Sequence, residues 1–116
     1  MAVRLFTANA GALLRAIKEA IDKGHIDTWS YDSDGDFTHT THDRQWEERA
    51  WLRPQIRDDR LFLNIIFASG EKQKRQVYGI YHGRFIEMAV THAPQRFTTA
   101  VATANMTKED KELNPG

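Results

Sequence analysis

The first apolar pattern along the chain has the spacing of a helix. Leucine and isoleucine fall on one stripe when about residues 8–22 are wound helically. Thr7 or Asn9 can accept from the free amide groups at the start of this helix, and Gly24 stands where a left-handed C-terminal cap belongs. We therefore predict an amphipathic helix that covers a sheet with its apolar stripe, which consists of Leu13, Leu14, Ile17 and Ile21.

A hairpin is predicted next, around the loop Ser33-Asp34-Gly35. A three-residue hairpin loop needs a positive φ at its last position, and Gly35 supplies it. Counting outward from the loop pairs Asp32 with Asp36, Tyr31 with Phe37, and Trp29 with His39. This register places four rings on one face of the hairpin: Trp29, Tyr31, Phe37 and His39.

A second hairpin is predicted from strict alternation on both sides of residues 57–60. A two-residue turn at Asp58-Asp59 gives the register that buries the most apolar surface. Pro54 lacks an amide hydrogen and predicts an edge or a bulge. Residues 44–48 fit a helix turn as well as a strand. The predicted partners are Ile56 with Leu61, Leu52 with Ile65, and Ala50 with Phe67.

Three further elements complete the prediction. Residues 75–81 alternate like a strand, residues 83–91 show helical spacing that Pro94 ends, and residues 97–103 are rich in β-prone threonine. The predicted fold class is α+β, a two-layer sandwich with two helices on one face of a mainly antiparallel sheet of about five to six strands. The element order is α-β-β-β-β-β-α-β.

Composition limits the function classes. The 116 residues carry 16 basic and 16 acidic side chains and no cysteine, which excludes disulfides and thiolate chemistry and removes the overall charge that nucleic-acid binders use. We expect one domain over residues 1–106 and a loose tail over 107–116. The N-terminus is a poor signal peptide and no stretch is long enough to span a bilayer, so we expect a cytoplasmic protein without a membrane partner.

Three residues are candidates for catalysis. His82 and Arg84 lie where the predicted strand passes into the predicted helix, whose free amide groups favour an anion. His39-Thr40-Thr41 resembles one half of the paired His-x-Thr motif of two-histidine phosphoesterases, and the chain has no second copy. A hydrolase or phosphodiesterase that uses His82, Arg84 and His39 is therefore one hypothesis. The alternative is that His82 and Arg84 are structural and that His39 is a surface histidine.

The run Asp32-Ser33-Asp34-Gly35-Asp36 resembles the start of a calcium loop. No bidentate glutamate follows at the required spacing, and aspartate and glycine also suit the predicted turn. We interpret this run as the turn, and we expect no metal and no cofactor.

Five residues are candidates for binding. Trp29, Tyr31 and Phe37 are either sheet core or an exposed patch that takes a protein partner or a second copy of the chain. Trp51 and Arg53 belong to the arginine-rich hairpin, where an aromatic ring can stack on the bases of single-stranded nucleic acid. Many of the arginines have acidic neighbours in the sequence, which favours a solvated surface instead.

Two segments, Ala50-Trp51-Leu52-Arg53-Pro54 and Tyr81-His82-Gly83-Arg84-Phe85-Ile86-Glu87, resemble small bacterial proteins to which no activity is attached. The resemblance implies a bacterial source and no mechanism. The leading hypothesis is a non-catalytic module that binds a protein partner or forms a homodimer. A small hydrolase is the second hypothesis and a single-stranded nucleic-acid binder is the third.

Overall fold

The structure is a computed structural model that describes residues 2–41, 44–106 and 110–112. Its seven strands form one sheet, and its two helices lie together on one face of that sheet. In chain order the elements are β1 (Ala2–Phe6), α1 (Ala10–Asp22), β2 (Trp29–Tyr31), β3 (Phe37–His39), β4 (Ala50–Ile56), β5 (Arg60–Phe67), α2 (Lys74–His92), β6 (Thr99–Ala102) and β7 (Lys111–Glu112).

The main path of the sheet has the order β2-β3-β4-β5-β1-β6, and each neighbouring pair is antiparallel. The short β7 pairs in parallel with the end of β5. The α+β fold class predicted from the sequence is confirmed, with a six-stranded antiparallel path and two helices. The apolar run of β5, which lies between β4 and β1, is buried on both faces.

Side-chain contacts show which face the helices cover. The Phe85 ring on α2 lies 5.1 Å from the Trp29 ring and 5.4 Å from the Phe37 ring, centroid to centroid. On the same side of the sheet, the Tyr31 hydroxyl donates to Asp22 of α1. Both helices therefore bury the face that bears these aromatic residues, and we call the opposite side of the sheet the outer face.

Both predicted hairpin registers are confirmed. Trp29 pairs with His39 across the first hairpin, and Gly35 has a φ of +85° in its loop. The second hairpin has the predicted partners along its whole length. Both predicted caps of α1 are also confirmed, because the Asn9 side chain accepts from the Ala12 amide and Gly24 has a φ of +79°.

Two element assignments differ from the sequence prediction. Residues 75–81, predicted as a strand, form the first half of α2. Their alternation is also compatible with a helix, because Val77, Tyr81 and Phe85 recur every fourth residue and are all fully buried. The glycines at positions 79 and 83 disfavour a helix locally, and burial of this stripe outweighs that preference. The N-terminal β1, which fills the gap between β5 and β6, was not predicted.

The segment before β4, which was ambiguous in the sequence, forms neither a helix nor a strand. It covers residues 44–48, and Arg44 and Glu48 both have positive φ. Pro54 lies in β4 beyond the one residue pair that joins β4 to β3, so its missing amide hydrogen breaks no ladder there. The predicted tail at 107–116 falls mostly outside the described residues, and its described part contains β7.

Candidate functional site

A cleft between α2 and β6 is the strongest candidate site. It encloses a cavity of about 300 Å³, which is at the lower end of the range for small-molecule sites. One wall is a face of α2 and the other is the end of β6 with the turn that follows it. The lining residues are Arg75, Tyr78, Gly79, His82, Gly83, Ala102, Thr103 and Ala104.

His82 is the imidazole that lines this cleft, and it is 3% exposed. Its Nδ1 atom lies 2.6 Å from the carbonyl oxygen of Tyr78, one turn earlier on α2. Because a carbonyl only accepts, Nδ1 carries the proton and Nε2 bears the lone pair. Nε2 is buried and has no hydrogen-bond partner among the described residues. Burial lowers the pKa of His82 to about 4, so the ring is neutral at physiological pH.

Tyr78 and Arg75 hold the far wall of the cleft in place. The Tyr78 hydroxyl donates to the carbonyl oxygens of Thr103 and Asn105, and its ring stacks on His82 with centroids 4.0 Å apart. Arg75 donates from Nη1 to the Ala104 carbonyl. A second cavity of about 230 Å³ lies on the other side of Arg75 and Tyr78. The polar groups at the mouth are therefore fixed by backbone contacts.

Two glycines shape the helical wall. Gly79 and Gly83 are one turn apart on α2, and both line the cavity. A Cβ atom added at either position meets nothing within 4 Å. Glycine inside a helix costs about 1 kcal/mol relative to alanine, so the two residues lower the stability of α2 without relieving any contact that the structure shows.

The three predicted catalytic residues are not assembled into one site. His82 lies in the middle of α2 and not at its start, which corrects the expectation that free amide groups lie beside it. Arg84 is two positions further on, which places it on the opposite side of the helix. There its Nη1 atom lies 3.5 Å from Nε2 of His39. The structure therefore brings Arg84 and His39 together and leaves His82 in the α2–β6 cleft.

His39 is a buried residue in this structure and not a surface histidine. It is 2% exposed, its ring contacts Trp29, and its Nδ1 atom lies 2.8 Å from the carbonyl oxygen of Thr28. Since the carbonyl accepts, Nδ1 carries the proton and Nε2 faces the Arg84 guanidinium. His42, the other histidine of the local cluster, lies outside the described residues. The geometry makes His39 a core residue that positions Arg84.

The predicted aromatic patch is mostly core. Trp29 and Phe37 are fully buried under α2, so neither is available to a partner in this fold. Tyr31 is partly buried, since its ring lies under the Lys18 ammonium and its hydroxyl is bonded to Asp22 of α1. Of the two alternatives stated for these rings, the structure supports the sheet core.

Trp51 and Arg53 lie beside the acidic turn on the outer face. Trp51 is partly buried, and Arg53 donates two hydrogen bonds to the buried Asp36. Asp32 accepts from the amides of Asp34 and Asp36, which is the arrangement expected of a turn. Carboxylate oxygens of the three aspartates lie within 4.8 Å of one another. The turn and Arg53 account for the positions of these side chains.

The outer face carries a group of arginines around Phe62. The guanidinium carbons of Arg4 and Arg57 lie 5.9 and 5.3 Å from the centre of the Phe62 ring. In the described residues neither of them pairs with a carboxylate, whereas Arg60 pairs with Asp59 at 2.8 Å. The buried Phe62 ring is thus shielded by the stems of basic side chains.

The last feature is the free edge of β6. This strand pairs with β1 on one side, and no described strand pairs with its other side. Residues 97–106 contain no charge and no proline, and Val101 is 38% exposed. Natural sheets protect their edges with charges, proline or very short strands. The other edge, β2, has only three residues, whereas β6 has four and carries neither a charge nor a proline.

Sequence reasoning missed Arg75, Tyr78 and Gly79 as site residues. The available signal was the four-residue spacing of Gly79 and Gly83, which is helical, but the strand assignment concealed it. No protein-family model matches the chain, and neither a curated protein nor a solved structure is similar to it. The expected bacterial source stays a prediction. Within the described residues no helix is both long and apolar enough to cross a bilayer.

Proposed function

We propose that this protein is a non-catalytic, self-associating module in which two copies pair along β6. The observation that carries the proposal is the uncharged, solvent-exposed edge of this strand. Pairing with a second copy satisfies the outward-facing backbone groups of Thr99–Ala102 and covers the exposed side chain of Val101. We also propose a cytoplasmic location and a bacterial source, as expected from the sequence.

The sequence of the edge is self-complementary. Residues 99–103 read Thr-Ala-Val-Ala-Thr, which is the same in both directions. Two antiparallel copies related by a two-fold axis at Val101 therefore place threonine opposite threonine and alanine opposite alanine. Threonine pairs across antiparallel strands are favourable. A two-fold axis also closes the assembly at two copies and prevents continued strand addition.

The expected affinity is modest. Pairing over five residues buries less surface than a standard protein interface. We therefore expect a reversible dimer with a dissociation constant of about 1 µM or weaker, in which the two six-stranded paths form one continuous sheet.

Sedimentation velocity over a concentration series of about 10–500 µM tests the proposal. The wild-type chain is expected to pass from monomer to dimer. Val101→Lys is expected to weaken association at least tenfold, because the two ammonium groups then meet across the axis. The matched control is Ile56→Lys, since Ile56 is 60% exposed at the end of β4 and away from β6.

Two results contradict the proposal. One is a wild-type chain that stays monomeric over the whole series. The other is a Val101→Lys chain that dimerises as well as Ile56→Lys does, which places the interface elsewhere. Hydrogen exchange gives a second readout, because the amides of β6 that face away from β1 are expected to gain protection as the protein concentration rises.

Nucleic-acid binding is a second candidate with one observation in its favour. Arg4 and Arg57 flank Phe62 on the outer face without a carboxylate partner among the described residues. If this face binds single-stranded nucleic acid, affinity for an oligonucleotide falls steeply with salt, and Arg57→Gln weakens binding more than Arg44→Gln does. Arg44 is a suitable control because Glu47 already neutralises it. Binding that is equal in both variants, or insensitive to salt, removes this candidate.

The hydrolase hypothesis has less support from the geometry than either of these. Its three residues lie on two sides of α2, so they do not converge in one site.

A further inference from the structure

We propose that the cleft between α2 and β6 binds a small, flat organic anion that also carries a hydroxyl or amino group, with His82 accepting from that group and Arg75 binding the anion. The inference does not rest on dimerisation through β6, although Ala102 and Thr103 line the cleft and also belong to the edge proposed for pairing.

His82 has an acceptor atom that is not used within the described residues. Its Nδ1–H is committed to the carbonyl of Tyr78, which directs the opposite edge of the ring away from the helix backbone. Nε2 is buried without a partner among the described residues, in a residue that lines the cavity. A buried acceptor without a partner lowers the stability of the fold. A ligand with an O–H or N–H donor satisfies this atom.

Arg75 places a cation at the mouth of the cavity. Arg75 uses Nη1 to hold Ala104 and Asn105, which leaves its other donors free in the described part of the chain. No described carboxylate pairs with it, and its guanidinium lies over the Tyr78 ring. A guanidinium fixed in this way matches the two oxygens of a carboxylate.

Two glycines flatten the wall that α2 contributes to the cavity. Gly79 and Gly83 leave a strip of the α2 backbone that lines the cavity without side chains, and no contact in the structure requires either of them to be glycine. The two glycines lower the stability of α2, and this cost is explained if a ligand occupies the cavity. A flat molecule can then lie directly on the helix backbone. The Tyr78 ring, stacked on His82, forms an aromatic side of the same space.

Titration with 4-hydroxybenzoate tests the inference, with histidine ring nitrogen shifts as the readout. Benzoate lacks the donor, and 4-hydroxybenzyl alcohol lacks the anion. We expect both to bind at least tenfold more weakly than 4-hydroxybenzoate, and only the two hydroxylated probes to shift the His82 Nε2 signal.

Two variants locate the site. Gly83→Leu fills the cavity from a position where a Cβ meets nothing within 4 Å, and it is expected to reduce binding at least tenfold while the protein stays folded. His82→Phe keeps the stack on Tyr78 and removes the acceptor. His92→Phe, at the exposed last residue of α2, is the control and is expected to bind normally.

The inference is overturned if no binding is seen up to about 10 mM probe. Equal affinity for the three probes, or normal binding by Gly83→Leu, also overturns it, since the donor, the anion and the cavity are the three features on which it rests.

Discussion

The imidazole of His82 is fixed to Tyr78 twice, through stacked rings whose centroids are 4.0 Å apart and through a hydrogen bond of 2.6 Å to the Tyr78 carbonyl. The two contacts leave the ring no freedom to reorient, so Nε2 keeps its lone pair and its direction. A buried neutral histidine held in one tautomer is suited to accept a hydrogen bond, and it also makes stability depend on pH.

The pH dependence follows from the direction of the His82 pKa. Folding lowers that pKa from the ordinary value of about 6.5 to about 4, because burial disfavours the charged ring. The contribution of His82 to stability is complete above pH 6.5 and is lost as the pH falls towards 4, since the unfolded chain binds the proton first. Between pH 8 and pH 5 the free energy of unfolding is expected to fall by about 2 kcal/mol through this residue.

Urea unfolding of the wild-type chain and of His82→Gln at both pH values measures this effect. Glutamine does not titrate, so the difference between the two chains isolates His82 from the other acidic and basic groups. A wild-type chain whose stability changes with pH no more than that of the variant contradicts the prediction.

Substitution of Gly79 is expected to stabilise the protein. Gly79→Ala adds a Cβ inside α2 where it meets nothing within 4 Å, which raises stability by about 1 kcal/mol. Gly24 is a matched control, because a Cβ there also meets nothing within 4 Å but φ is +79°. Gly24→Ala is therefore expected to lower stability by about 1 kcal/mol. Thermal melts of the two variants should move in opposite directions, and a shift of the same sign in both would falsify the argument.

A chain of hydrogen bonds through Tyr81 positions the loop before β4. The Glu48 amide donates to Thr38 Oγ1 at 2.8 Å, and the Tyr81 hydroxyl donates to the Trp46 carbonyl. Thr38 Oγ1 lies 2.9 Å from the Tyr81 hydroxyl and donates to it, since the tyrosine proton is already used. Burial raises the pKa of Tyr81, so the phenol stays protonated.

Tyr81→Phe is expected to lower stability by about 1–2 kcal/mol, because the buried Trp46 carbonyl loses its donor. Tyr31→Phe is the control, since that hydroxyl bonds to the exposed Asp22 and its loss should change stability by less than about 0.5 kcal/mol. Chemical denaturation measures the free energy of unfolding of both variants. Equal losses of stability in Tyr81→Phe and Tyr31→Phe contradict the prediction.

The two side chains of the Arg53–Asp36 ion pair are buried to different extents, so we expect the loss of either partner to have a different effect on stability. The Asp36 side chain is 6% exposed and the Arg53 side chain 44%, with Nη2 2.9 Å from the carboxylate. Arg53→Gln leaves a buried carboxylate unpaired and is expected to lower stability by about 1–2 kcal/mol. Adding Asp36→Asn should recover part of the loss, because the neutral amide needs no cation. A double variant that is no more stable than Arg53→Gln alone contradicts this account.

Much of the fold could be predicted because the signals are local. The register of the second hairpin depends only on alternation and a turn, and the caps of α1 depend on Asn9 and Gly24 alone. The first half of α2 could not be predicted in this way. Its glycines disfavour a helix, and only the contact of Val77, Tyr81 and Phe85 with the sheet decides the conformation.

The sequence by itself determined the two-layer architecture and both hairpins, because these depend on neighbours a few residues apart. Only the tertiary structure decided that Trp29 and Phe37 are core and that His39 and His82 lie on different sides of α2. It also placed His82 beside β6. The physical reason is that the burial of a side chain depends on surfaces contributed by segments distant along the chain.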